Sequence, residues 1–274
     1  MAVEAWTQAV RHQLALGRLL PLGGPDDGTW ITEQAAVRDL GRAADEIPGV
    51  RLETLRVGSA PHAPVSEPAV RPPASALPPG PLRIEATFAA SLGEPLPHTA
   101  DQLRSALLSW ASERLGLVTV TADLRVTDLL EGPETVEKSR TTAEPMRPTP
   151  KAAAAAAAAR SSPPVTGTGS MQGPDGELAD VVTGVPGVAR LTAVPGSRPV
   201  KVEDHDDPPG RHVEIHLAVA PGHHPLAVAR AVRDAVADAV ITSTAGTTGS
   251  VTAAVLVTET AARPPRRPGP SAPR

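Results

Sequence analysis

Val120-Thr-Ala-Asp-Leu-Arg-Val-Thr-Asp128 recurs 131 positions later as Val251-Thr-Ala-Ala-Val-Leu-Val-Thr-Glu259, with Val, Thr, Ala, Val and Thr kept in register. In the first stretch Val120, Ala122, Leu124 and Val126 alternate with Thr121, Asp123, Arg125 and Thr127. That period of two belongs to a strand with one buried face. A strand repeated at a fixed shift predicts two copies of one folding unit.

Upstream of that strand, Leu82-Arg-Ile-Glu-Ala-Thr-Phe88 aligns with Val213-Glu-Ile-His-Leu-Ala-Val219 at the same shift, from 82 to 213. Each pair of strands brackets a helix. In the first copy Leu96, Ala100, Leu103, Leu107 and Trp110 form an apolar stripe that stops at Gly116, and Thr99 with Gln102 has capping-box spacing. In the second copy the stripe is Ala229, Val232, Val236 and Ala239. Further upstream, Ile47-Pro-Gly-Val50 matches Val185-Pro-Gly-Val188, after helical stretches at Ile31–Glu46 and Glu177–Val182. Each copy therefore reads α, tight turn, β, loop, β, α, β. The β–α–β crossover predicts two parallel strands, and the first strand of each copy is expected antiparallel to the second. The expected fold is α+β: two tandem α-β-β-α-β modules, each a three-stranded mixed sheet with helices on one face.

These signals divide the chain into an N-terminal helical segment (1–28), a first module (29–130) and a linker read as disordered (131–176). A second module (177–260) and a basic, Pro-rich tail (261–274) follow. The linker is rich in Pro, Ser, Thr and Gly and carries an alanine run at Ala152–Ala159. A second Pro-rich stretch, residues 58–81, interrupts the first module. With 32 Pro and 23 Gly but one Phe, three Trp and no Tyr, the cores must be small and aliphatic.

The chemistry is marked by what is missing. The chain has no cysteine, which excludes disulfides, thiolate nucleophiles and Cys-based zinc sites and suits a reducing interior. A net charge of −4 supplies no field for nucleic acid. No phosphate loop, zinc-protease motif, nucleophile elbow or dinucleotide fingerprint is present in a strand–helix context. Gly167-Thr-Gly169-Ser-Met-Gln-Gly173 falls in the linker. The one pattern with metal-ligand spacing is His212-x-Glu214-x-His216, alternate residues of one strand about 6.6–7 Å apart. It reads first as a solvent-facing polar strand, because the matching Arg83, Glu85 and Thr87 form a polar face, and Glu203–Asp207 reads as a hydrated loop. No catalytic, cofactor-binding or metal-binding residue is assigned. Near the start, Trp6, Val10 and Leu14 form an apolar stripe that predicts either packing on the first module or a partner-binding helix. No apolar run approaches the ~20 residues needed to span a bilayer, and the expected location is the cytoplasm.

The order helix, Ile/Val-Pro-Gly-Val, strand, strand, Gly-containing turn, helix and alternating strand resembles the alkaline shock protein family of the bacterial envelope stress response. The residues that carry it are Ile31, Ala35 and Ala36, Pro48-Gly49-Val50, Gly93 and Val120–Val126, then Pro186-Gly187-Val188, Gly222 and Val251–Val257. Gly17-Arg-Leu-Leu-Pro-Leu-Gly23 followed by Trp30-Ile31 looks closer still to actinobacterial proteins that carry a nucleopolyhedrovirus-derived label. The resemblance implies a cytoplasmic protein without catalysis that assembles at the inner membrane face through an anchor protein. The expectation is a non-enzymatic structural or interaction protein with a protein partner or self-association. No cofactor, nucleic acid or small-molecule substrate is expected, and the alternative is a metal-binding protein or enzyme using the His-rich second module.

Overall fold

The computed structural model describes residues 17–130, 174–193, 198–206, 209–243 and 250–261. Trp6, Val10 and Leu14, the alanine run, Gly167–Gly173 and the Arg-rich tail lie outside the described residues. The first half runs β1 (Leu19–Pro21), β2 (Thr29–Thr32), α1 (Glu33–Asp45), β3 (Val50–Ser59), β4 (Leu82–Ser91), α2 (Leu96–Trp110), a π-helical turn (Ala111–Leu115) and β5 (Thr119–Leu130). The second runs α3 (Pro174–Gly184), β6 (Val188–Leu191), β7 (Val200–Asp206), β8 (Pro209–Val219), α4 (Pro225–Ser243) and β9 (Ser250–Thr260). The class is mixed α+β.

Both halves follow one pairing scheme. β3 is antiparallel to β4 and β4 parallel to β5; β6 and β7 are antiparallel to β8, and β8 is parallel to β9. The Pro-Gly turns bend where expected, with Gly49 at φ +74° and Gly187 at φ +95°. The strand match is nevertheless displaced: Ile84 pairs with Ala122 and Ile215 with Val255, so the last strands correspond at a shift of 133 (from 122 to 255) instead of 131. Two residues is a full pleat period, so the shared Val-Thr-Ala slid in register without changing which residues face the core.

Three expectations are corrected. First, the second half is not a three-stranded sheet. Among the described residues β1 and β2 join it, giving a six-stranded sheet in the order β1-β2-β9-β8-β6, with β7 also on β8; only β3-β4-β5 is three-stranded. Trp30 and Ile31 therefore lie in a strand, and α1 starts two residues later behind Thr32, whose hydroxyl accepts from Ala35 N–H at 3.3 Å. Second, the modules do not have separate cores. Leu20, Leu40, Leu103 and Leu115 share one buried cluster with Val213, Val232 and Val255, so residues 17–28, which hold β1 and no helix, module 29–130 and module 177–260 are not independent units. Third, the Pro-rich stretch 58–81 is a strap laid over the far face of the six-stranded sheet, where Val70 and Ala76 pack on Leu19, Trp30 and Leu256. It is tied there by Leu19 N–H to Ser75 O (3.2 Å) and Leu77 N–H to Leu19 O (2.9 Å).

α2 begins at Leu96 behind Pro95, so Thr99 is a buried residue inside it and not a cap. The π-helical turn that continues α2 ends on Gly116 at φ +84°, as the glycine predicted. Among the described residues no helix is long and apolar enough to cross a membrane.

Candidate functional site

His212, Glu214 and His216 stand on β8, whose two faces are both covered, so the solvent-facing reading of this strand is overturned. His212 and His216 are buried. His212 Nδ1 lies 2.9 Å from Thr252 Oγ1 and His216 Nε2 lies 2.7 Å from Glu214 Oε1. Burial lowers the His212 pKa below its ordinary 6.5, against the opposing pull of Glu214 and Glu203. Among the described residues no group of three His, Asp or Glu side chains is arranged to hold a metal ion. Glu203 and Asp204 belong to β7 and not to a loop. Lys201 reaches Glu203 at 2.5 Å and Arg211 reaches Asp204 at 2.6 Å, while Asp207 lies outside the described residues.

A cleft of about 440 Å³ opens where the halves meet, between α1, the end of α2 and the β8–α4 turn. Asp39 and Arg42 form an ion pair on one wall, and burial is the main influence raising the Asp39 pKa. Arg114 lies over the Trp110 ring, 5.3 Å from its centroid. His224 opposes them from the start of α4, where its Nδ1 accepts from Ala227 N–H at 3.4 Å. Accepting requires an unprotonated nitrogen, and burial lowers the His224 pKa in the same sense. Asp39 and Arg42 are thus engaged with each other, Arg114 with the Trp110 ring and His224 with the backbone.

The more exposed feature is the outer edge of the three-stranded sheet. β5 is an edge strand, yet Val118, just before it, and Val120, Val126 and Leu129 within it are 45%, 51%, 37% and 44% exposed. The alternation was expected to bury Val120 and Val126; they stand at the margin of the sheet, with no further strand beyond them among the described residues. In the second half the corresponding strand is closed, because β2 pairs in parallel with β9 through Thr29–Val255, Trp30–Leu256 and Ile31–Val257. Val255, Leu256 and Val257 are fully buried as a result. The same edge is capped in one half and open in the other.

No family model, curated protein or solved structure matches this chain. Of the residues singled out in the sequence, Trp6, Val10 and Leu14 lie outside the described region, and the His-rich strand is structural packing. The open edge was visible only as four apolar residues in and beside a strand; which sheet margin they occupy depends on β2 pairing far away in sequence.

Proposed function

We propose that this chain is a non-enzymatic interaction protein that works through the β5 edge, in the cytoplasm and in the manner of a scaffold. The carrying observation is that edge itself: a strand of twelve residues with exposed valines and leucine and no neighbour beyond it among the described residues. An unpaired edge offers a row of backbone donors and acceptors, the element used in strand-addition recognition. The partner is another protein or a second copy of the chain. The likeness of its order of elements to the alkaline shock proteins supports a place in the envelope stress response, with indirect membrane association through an anchor protein.

The test is site-specific photo-crosslinking of the full chain in cells, with the reactive residue at position 120 or 129. Adducts are expected there and not at Glu67 or Ile241, exposed positions away from the edge. Equal or absent adducts at all four positions would defeat the reading.

A further inference from the structure

The occupant of the β5 edge can be read from its own residues, and the argument rests on the interaction reading above. Glu85 pairs in register with Asp123 and Thr87 with Arg125, so Asp123 and Arg125 lie on the polar face of the sheet, and Ala122, Leu124 and Val126 on the other. A two-fold axis through Leu124 would set a second β5 antiparallel to the first. That single operation places Asp123 opposite the other copy's Arg125, and Arg125 opposite its Asp123. It also places Leu124 on Leu124 and Ala122 on Val126. Two oppositely charged pairs and an apolar row result, with no like charges facing, which is what an isologous strand seam requires. The ladder with β4 shows no register shift from Arg83–Thr121 through Phe88–Val126, so this stretch is regular enough to pair.

We infer that β5 joins a second copy of this chain as an antiparallel, two-fold strand pair centred on Leu124, converting two three-stranded sheets into one continuous six-stranded sheet. Asp123 already meets Arg83 at 3.5 Å, but its side chain is 62% exposed and can serve a second cation. Arg104 Nε donates to Ala122 O at 3.2 Å, a bond that a seam using this carbonyl must share or displace. The regular stretch from Ala122 to Val126 is about 14 Å long. So short a seam is small beside the ~1,600 Å² of a standard interface, and a reversible monomer–dimer equilibrium is expected.

Sedimentation of the full chain across micromolar concentrations tests this. The wild type is expected to show a monomer–dimer equilibrium. Asp123→Arg and Arg125→Asp, which set like charges across the axis, are each expected to weaken it about tenfold or more. The two single variants mixed in equal amounts bring opposite charges together again and are expected to associate near wild-type strength. So is the doubly swapped Asp123→Arg/Arg125→Asp chain. Rescue on mixing separates a broken interface from a broken fold. A wild type that stays monomeric, a dimer indifferent to both substitutions, or a mixture that fails to associate would overturn the self-pairing. A monomer that still forms adducts with another protein from positions 120 and 129 would overturn the self-pairing alone; loss of both would remove the interaction reading as well.

Discussion

Gly116 ends the π-helical turn at φ +84°, a conformation that side chains rarely adopt. A Cβ there would stand 2.7 Å from Leu226 Cβ and 2.9 Å from His224 Cε1, across the junction of the halves. Gly116→Ala therefore combines backbone strain with a clash against α4. It is expected to cost about 2–4 kcal/mol in urea unfolding. The helix stop was legible from the glycine; the crowding against a helix begun at residue 225 was not. His212 and His224 are held below their ordinary 6.5 chiefly by burial, so the folded chain binds fewer protons than the unfolded one near that pH. Stability is then intact at neutral pH and falls as pH drops below about 6.5 towards the lowered folded values. Melting temperatures between pH 7.5 and 5 should show this fall, and His212→Gln should flatten it. An equal fall in that variant would assign the acid sensitivity elsewhere.

The strap at residues 58–81 shows where element-level reading succeeds and fails. Its prolines marked an interruption of the first module. They could not show that the segment closes a face of a distant sheet, because Val70, its buried anchor, is a single apolar residue without periodicity. Val70→Asp would bury a carboxylate against Trp30 and Leu256, and is expected to destabilise the fold by about 2–4 kcal/mol. Trp30 fluorescence should shift to the red as the strap lifts. A variant as stable as the wild type would show that the strap does not seal that face. The second half's first strand was equally hard to read. β3 runs unbroken along β4, whereas its counterpart is split into β6 and β7 along β8. The Val188–Leu191 segment is too short to reveal by pattern that a second piece follows on the same partner.

Across the assembled chain, β2 lies between β1 and β9, and the Thr32 hydroxyl donates at 3.1 Å to the carbonyl of Thr258, 226 positions further on. Asp27 reinforces that closure: Arg230 Nε and Nη2 reach its carboxylate at 2.6 and 2.9 Å, and the bond to Arg230 is the main influence lowering the Asp27 pKa. Fragments 1–140 and 165–274, expressed separately, should each lack a cooperative thermal transition, the second because β9 and the Leu256 face are bare. Mixed, they should recover native-like circular dichroism and co-elute. Fragments that melt cooperatively alone would restore the picture of two independent modules.

The amino-acid pattern alone determined the mixed α+β class, the long helices, the alternation of β4, β5, β8 and β9 and both Pro-Gly turns, because these depend on residues within a few positions of one another. Tertiary structure decided that the halves share a core, that His212 and His216 are buried, and that among the described residues β9 is capped while β5 is open. Those outcomes depend on which of two similar strand edges β2 fits. That choice rests on packing between segments far apart in the chain, which leaves no periodicity in either segment to read.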